Sequence, residues 1–303
     1  MKRLKKITVI GANSYIARNL IYMLEAQKEA YQIKLYGREQ EHADGSENYT
    51  CVDVLDRASV RNIDFHCDIL YFFVGRTGTS NAFEDFGTFI DVNEKTLLNV
   101  MAEYVEQKSS AKLVFPSTRL VYRGADEHLK EDNEKAFKSI YAVNKHACEM
   151  YIRLYHEMFD LQYLILRICV PYGSLVPGAS SYGTMEFMLK NAKQGKDITI
   201  YGDGTIRRTM TYIGDLCRAM ILAGAHPMCK NDIYNIGGEE YMLGELAQIV
   251  AQRYGVGVSY VPWPELAKKM ESGDTVLDSA KLDRLISYQS VSLEQWVKGE
   301  EQS

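Results

Sequence analysis

Long apolar runs are missing from this chain of 303 residues: no stretch approaches the ~18 uninterrupted apolar residues of a membrane-spanning helix. The basic stretch Lys2-Arg-Leu-Lys-Lys6 is followed only by Ile7–Ile10 before Gly11, too short for the apolar region of a secretory signal. A cytoplasmic protein with no membrane partner is therefore expected. Paired cysteines are missing too. The six, at positions 51, 67, 148, 169, 217 and 229, are scattered without a Cys-x-x-Cys, and read as reduced core residues rather than disulfides. The six histidines form no metal-spaced cluster, so no metal site is expected. Positive charge is not in excess: the net charge is -5 and no basic block follows Lys6, which argues against a nucleic-acid partner. Repeats and low-complexity segments are absent. What remains, 46% hydrophobic and 25% charged, is an ordinary globular composition with ample core, for one large domain or two closely joined ones.

The chain opens by alternating strand and helix. Lys6–Ile10 is a short β-branched run of the kind found in buried strands. Gly11-Ala-Asn-Ser-Tyr-Ile-Ala17 follows, and a helix is predicted over Arg18–Glu25. Strand, glycine turn and helix in that order make the arrangement in which turn amides and a helix N-terminus meet a pyrophosphate. Glycine is scarce in this turn: only Gly11 remains of a Gly-x-x-Gly-x-x-Gly pattern, with Ser14 and Ala17 at the other two places. Further strands are predicted over Gln32–Tyr36, Tyr49–Val54, Asp68–Val74, Ala111–Pro116 and Leu161–Val170, with a long helix over Phe89–Gln107. This alternation predicts a parallel, doubly wound α/β sheet. Gly37-Arg38 closes the second strand. No acid is found there to receive ribose hydroxyls, and Arg38 either meets a 2′-phosphate, which favours NADP(H), or is a solvated loop arginine. Gly75–Ser80 is a polar glycine loop at the carboxyl end of the fourth strand, where open parallel sheets bind ligands.

Beyond residue 170 the character changes. Pro171–Gly183 is turn-rich. Then come a helix over Met185–Gln194, a strand from Ile198, a strand-like Thr209–Ile213, and a helix to Ala223 that Asp215 is suited to cap. Ile233–Gly238 reads as strand and turn, Gly244–Tyr254 as a helix, with short helices near Ser279–Leu285 and Leu293–Val297. A dinucleotide-binding domain is expected over 1–170, with 209–236 returning to it. A smaller C-terminal α/β substrate-binding region is expected over 171–208 and 237–303.

The most informative stretch is Tyr141-Ala-Val-Asn-Lys145. Apolar residues recur at helical spacing from Ala147 (Met150 and Tyr151, Leu154, Met158), so a buried amphipathic helix begins near Tyr141. Residues i and i+4 share a helix face, which turns the phenol and the ammonium the same way. A cation within ~4–6 Å lowers the ordinary tyrosine pKa of ~10. Such a Tyr can exchange a proton with a sugar hydroxyl or carbonyl while a hydride moves at the same carbon. The spacing also occurs in ordinary helices, and with 21 tyrosines it says little alone. Its weight comes from order: Ser117-Thr118 ends the fifth strand about twenty residues upstream, although either hydroxyl singly reads as a turn residue.

In this order and spacing the motifs resemble the extended short-chain dehydrogenase/reductase family, the NAD(P)-dependent nucleotide-sugar epimerases, dehydratases and ketoreductases. Ile10–Ala17 resembles the family's glycine turn, and Asp53-Val54 its adenine-contacting acid. Phe73-Val-Gly75 resembles a Leu-Ala-Ala strand end, and Val92-Asn93 to Asn99 an Asn-Val-x-Gly-Thr helix start. Ser117-Thr-Arg-Leu-Val-Tyr122 resembles Ser-Ser-x-x-Val-Tyr-Gly, and Leu166-Arg167 with Tyr172-Gly173 resembles Leu-Arg-x-x-Asn-x-Tyr-Gly. Tyr201-Gly-Asp-Gly204, Arg208, Tyr212–Asp215 and Tyr234-Asn-Ile-Gly237 match the remaining signatures.

The resemblance implies a Rossmann-type doubly wound sheet, with NADP(H) or NAD(H) as cofactor and a nucleotide-diphosphate sugar as substrate. It implies Tyr141 as acid/base, Lys145 lowering its pKa and holding the nicotinamide ribose, and Thr118 bonding the reacting oxygen. Gly11, Asn13, Ser14, Tyr15, Ile16, Arg38, Asp53, Val54, Phe73, Val74, Gly75, Asn93, Ser117 and Cys169 would join that pair around the cofactor. Thr77, Arg119, Val170, Ile200, Tyr201 and Arg208 would border the substrate, Arg208 on its pyrophosphate. A homodimer is implied through the helices over Val92–Gln107 and Tyr141–Phe159, with Tyr104, Tyr151 and Tyr155 at the interface or in the core. Surface-polysaccharide synthesis is the implied setting.

Departures narrow the reaction. Dehydratases of this family follow the catalytic Thr with Asp-Glu; Arg119-Leu120 stand there instead, which argues against dehydration. Val170 stands in place of a substrate-contacting Asn, and Val74-Gly75 in place of Ala-Ala. The absent ribose acid and Arg38 put 4-keto reduction ahead of 4-epimerisation with tightly held NAD. A non-catalytic nucleotide-binding module is the third reading, since a fold does not fix a function.

Overall fold

Strands buried on both faces need helices on both sides, and the strands of this chain are of that kind. The computed structural model describes residues 4–181 and 183–299. Positions 2 and 3 of the basic stretch, position 182 of the turn-rich loop and the end of the substrate-binding region, 300–303, lie outside the described residues. The elements run β1 (Lys5–Ile10), α1 (Tyr15–Glu25), β2 (Tyr31–Gly37), β3 (Tyr49–Cys51), α2 (Arg57–Val60), β4 (Ile69–Phe72), α3 (Phe86–Ile90), α4 (Thr96–Glu106), β5 (Lys112–Thr118) and α5 (Ile140–Phe159). They continue with β6 (Gln162–Ile168), β7 (Val170–Tyr172), α6 (Thr184–Lys193), β8 (Ile198–Tyr201), β9 (Arg207–Tyr212), α7 (Ile213–Ala225), β10 (Asp232–Asn235), β11 (Glu239–Met242), α8 (Leu243–Tyr254), β12 (Val258–Val261), α9 (Glu265–Met270), α10 (Ala280–Asp283) and α11 (Leu293–Lys298).

Among the described residues seven strands form a parallel sheet in the order β10-β6-β5-β4-β1-β2-β3. Alternate strand residues supply the two cores. Ile7, Val9, Leu35, Tyr71 and Leu164 join Leu20 and Leu24 of α1 and Leu216 and Met220 of α7. Ile10, Leu70, Phe72, Leu113 and Phe115 join Leu97, Val100 and Met101 of α4 and Cys148 and Ile152 of α5. The strand order reverses between β1 and β4, and the crevice at such a reversal is where open α/β sheets take ligands.

The predicted sixth strand divides in two. β6 ends at Ile168 in the main sheet, and β7 pairs instead with β9, itself antiparallel to β11. Cys169 is the residue between the two sheets. A parallel pair, β8 and β12, lies beyond. The predicted helix over Phe89–Gln107 is also interrupted: α3 and α4 are separated by a π-helical turn over Asp91–Lys95 that contains Asn93. The predicted third strand stops at Cys51, short of Asp53. Asp215 does not cap α7. It lies in the first turn and accepts from the Val291 amide at 2.7 Å, because Tyr212 occupies the capping position. Cys51 is exposed rather than part of the core. Strands β11 and β12 and helix α9 escaped the sequence reading; each is a short, half-exposed segment without a buried apolar stripe.

α5 begins after Ser139, whose Oγ accepts from the Ala142 amide at 3.2 Å, and ends where Asp160 turns left-handed (φ 57°). It buries Ala142, Lys145, Cys148, Glu149 and Ile152, while Val143, Met150, Leu154 and Met158 stay exposed along the opposite side. Tyr104 belongs to the core, its hydroxyl donating to the Ala111 carbonyl at 2.8 Å. No described helix is long and apolar enough to cross a membrane.

Candidate active site

Gly11 follows the last residue of β1 with φ +82°, and a Cβ there would lie 2.7 Å from the Val74 amide nitrogen and 2.8 Å from the Phe73 carbonyl carbon. Conformation and space both require glycine. The other two places of the pattern are less demanding. Ala17 is fully buried, and Ser14 precedes α1 in an extended conformation. The Ser14 Oγ is buried and has no hydrogen-bond partner among the described residues. An unpartnered hydroxyl beside the first-turn amides of α1 fits the pyrophosphate of a dinucleotide. The Asn13 amide donates to the Glu41 carbonyl at 3.0 Å and accepts from the Ala43 amide at 2.9 Å, joining the turn to the loop after β2. Tyr15 and Ile16 point away from the crevice. The Tyr15 hydroxyl donates to the Gly173 carbonyl at 2.7 Å and Ile16 packs on the core, which leaves only their amides for a phosphate.

The loop after β2 corrects one expectation: an acid is present. Glu39 turns back so that its Oε2 lies 3.4 Å from where a Cβ on Gly37 would stand, and it accepts from Asn13 Nδ2 at 3.3 Å. It lies two residues beyond the strand, past the Gly37-Arg38 pair that closes β2. Arg38 leans on this carboxylate (3.3 Å) with its side chain 77% exposed. Asp53 is exposed in a turn, its carboxylate accepting from the Leu55 amide at 2.9 Å, and Asn99 holds the Val54 carbonyl at the same distance. Phe73 is buried and its amide donates to the Ile10 carbonyl at 2.8 Å, while Val74 is half-buried. At Gly75 a Cβ would stand 3.2 Å from Asn93 Oδ1 and 3.8 Å from Lys145 Nζ. The buried Asn93 amide closes on both backbone groups of Arg76 (2.9 and 3.1 Å), so the π-helical turn pins the loop that carries Thr77.

Thr118 ends β5, buried, with its Oγ1 accepting from the Leu120 amide at 3.2 Å. Tyr141 lies in the first turn of α5 and Lys145 one turn on, with α5 packed on β5 and on the 3-10 turn after Thr118. The Lys145 ammonium is buried. It donates to the Pro116 carbonyl at 2.8 Å and stands 4.4 Å from the Phe115 ring centroid. Burial brings its pKa down to about 8. The expected lowering of Tyr141 by Lys145 is not what the geometry gives. Lys145 reaches down to the sheet, and burial pushes the Tyr141 phenol up. No hydrogen bond reaches the Tyr141 hydroxyl among the described residues.

Ser117 does not face the cofactor crevice. Its Oγ donates to Glu149 Oε1 at 2.5 Å, and Glu149 pairs with Arg167 through bonds of 2.7 and 3.0 Å. Arg167 continues to the Tyr122 hydroxyl (2.8 Å), which donates to Asn235 Oδ1 at 2.7 Å. Glu149 was missed in the sequence, although it lies four residues past Lys145 on the same helix face.

Arg119, directly after Thr118, donates to Ser272 Oγ at 3.2 Å and Thr275 Oγ1 at 3.1 Å. Burial, and then the nearby Arg208 charge, bring it down to about 10. Arg208 is itself buried, with its guanidinium on the Glu271 carboxylate and on the Arg207 (2.8 Å) and Gly273 (2.6 Å) carbonyls. Cys169 lies beside both arginines, its thiol 3.4 Å from the Thr275 carbonyl. Val170 is half-buried on β7. Ile200 is buried in the core rather than facing a ligand, whereas Tyr201 is exposed beside Trp263, with ring centroids 5.4 Å apart. Among the described residues no three His, Cys, Asp or Glu side chains gather as a metal site.

The profile of the NAD dependent epimerase/dehydratase family matches residues 7–237. The chain belongs to this family. A UDP-glucuronate 4-epimerase of Thermodesulfobacterium geofontis is 25% identical over 89% of the chain and 84% of its own length. A putative UDP-glucose 4-epimerase of Methanocaldococcus jannaschii is 28% identical, and that match spans 54% of each. Among solved structures, Pal from Bacillus thuringiensis gives a TM-score of 0.86 at 20% identity over 98% of both chains. UDP-glucuronic acid 4-epimerase from Bacillus cereus, solved with UDP-glucuronic acid and NAD, gives 0.82 at 23% identity over 97% of both. These likenesses in structure speak for the fold. Nucleotide-sugar chemistry of the epimerase/dehydratase kind is what the family comprises.

Proposed function

We propose that the protein is an NAD-dependent nucleotide-sugar 4-epimerase. The observation that carries the proposal is Glu39. A carboxylate at the end of β2, tied to Asn13 of the glycine turn, accepts from a ribose diol and repels a 2′-phosphate. When bound, the cofactor accepts a hydride from the sugar carbon and returns it. Thr118 and Tyr141 are the hydroxyls for the reacting oxygen, and Tyr141 moves its proton. The phenol is protonated at rest because burial raises its pKa. Taking a proton from the sugar therefore needs a lower pKa, toward which the positive charge of a bound oxidised nicotinamide would act, since Lys145 is turned to the Pro116 carbonyl. No acid pair follows Thr118, so a single acid/base serves, as epimerisation requires.

A second reading, 4-keto reduction with NADPH, is supported by the exposed Arg38 and by the protonated phenol, the form that donates to a carbonyl. Glu39→Gln separates the two. For an NAD enzyme it weakens NAD by about tenfold, the ~1.4 kcal/mol of one charge-assisted hydrogen bond, and narrows the preference over NADP, as measured by titration of both cofactors. An unchanged NAD affinity would favour the reductase.

We also infer a homodimer. The apolar stripe of Val143, Met150, Leu154 and Met158 on α5 is exposed, as are Phe86 and Ile90 of α3, a helix that packs on α5, and a twofold axis buries such a stripe against itself. Light scattering should give the mass of two chains, and Leu154→Glu with Met158→Glu should give one.

A further inference from the structure

The loop of residues 271–275 crosses the site just past Thr118. Its backbone is well held: the Gly124 amide donates to the Ser272 carbonyl (2.9 Å), the Ala125 amide to the Asp274 carbonyl (3.1 Å), and the Thr275 amide to the Arg207 carbonyl (3.0 Å). Arg207 adds an ion pair to Asp274 at 2.6 Å. Glu271 is held by its side chain, whose Oε1 accepts from the Gly273 amide at 3.0 Å as well as from Arg208. It stands at the near edge of this loop, where α9 ends, and α9 buries none of its own residues. Its side chain keeps 20% exposure, while that of Arg208 beneath it keeps 3%. Arg208 alone is bonded to this carboxylate, and the Arg119 guanidinium stands beside it on the side chains of Ser272 and Thr275 of the same loop. Among the described residues Arg119 has only the neutral hydroxyls of Ser272 and Thr275 as hydrogen-bond partners, so the half-buried cluster of Arg119, Arg208 and Glu271 carries a surplus positive charge. A desolvated cation without its own anion is costly, and an incoming dianion relieves that cost.

We propose that Glu271 is an internal stand-in for the diphosphate of the substrate: it occupies the anion site formed by Arg119 and Arg208, and a nucleoside diphosphate binds by displacing it. The loop backbone stays in place and only the Glu271 side chain swings to solvent. Affinity is then reduced by the fraction of time the carboxylate sits on Arg208. The inference rests on the nucleotide-sugar reading and adds the residue that sets its affinity.

The test is calorimetric titration of the full-length protein with UDP and dTDP, and with UMP as the probe of lower charge. Glu271→Gln should tighten UDP or dTDP by about tenfold, tighten UMP less, and leave NAD unchanged. Arg119→Met should weaken the diphosphates and also leave NAD unchanged. The melting temperature of Glu271→Gln should fall without nucleotide and be restored by the diphosphate. If Glu271→Gln binds the diphosphates no better than the native protein while NAD still binds, Glu271 is a fixed tether and the proposal fails alone. If neither protein binds any diphosphate while NAD still binds, the nucleotide-sugar reading fails with it.

Discussion

Two carboxylate–arginine pairs flank Thr118, and they are built differently. Glu149–Arg167 is sealed, with side chains 1% and 2% exposed. Each oxygen of Glu149 has a donor, and the pair is charge-balanced. Glu271–Arg208 has a carboxylate at the protein surface and a second arginine, Arg119, close by. The first is scaffold. It fixes Ser117, and through Ser117 the strand end that presents Thr118. The second has the composition of a ligand site. A buried pair that is complete has nothing to offer a substrate, whereas an incomplete one does.

Removing an arginine from each pair sharpens the contrast most. Arg167→Met leaves Glu149 as an uncompensated buried charge, and urea denaturation should show a loss of about 3–5 kcal/mol. Acid reaches the same pair more gently. Burial alone would raise the Glu149 carboxyl, but Arg167, His146 and Ser117 hold it down to about 2. A depressed carboxylate stabilises the fold above its unfolded pKa of ~4.3 and stops doing so as pH falls through its folded value. Native stability should therefore decline from about pH 4.5 toward pH 2, and Glu149→Gln should flatten that decline. Arg208→Met should cost less than Arg167→Met, because Glu271, 20% exposed, can turn to water whereas Glu149 cannot. It should nevertheless weaken UDP in the same titration. A loss equal to that of Arg167→Met would make both pairs scaffold and erase the distinction.

Much of this site was legible in the chain. The seven-stranded sheet follows from apolar runs alternating with helices, and Gly11 and Thr118 stand at strand ends with Tyr141 and Lys145 one turn apart on α5, but the stripe of Met150, Leu154 and Met158 expected to be buried is the exposed side of that helix. The glycine-poor turn also closes, because Gly11, with its positive φ and backbone neighbours at 2.7 and 2.8 Å, keeps the glycine that this turn requires. What stayed hidden depends on side-chain direction. Lys145 reaches Pro116 rather than the phenol, Glu39 turns back beneath Gly37, and Ile200 faces the core. Glu271 was hidden for another reason: it lies 63 positions from Arg208, and no local pattern announces a contact of that kind.

The most direct measurement is to incubate the purified protein with UDP-glucose, UDP-glucuronate and dTDP-glucose, without added cofactor, and to follow the configuration at the sugar C4 by NMR. A denatured portion of the same protein reveals its bound nucleotide. If the protein is an NAD-dependent 4-epimerase, at least one sugar gives its 4-epimer, NAD is released on denaturation, and Tyr141→Phe loses turnover. No 4-epimer from any of the three, together with NADPH consumed in step with reduction of a 4-keto sugar, would contradict this reading.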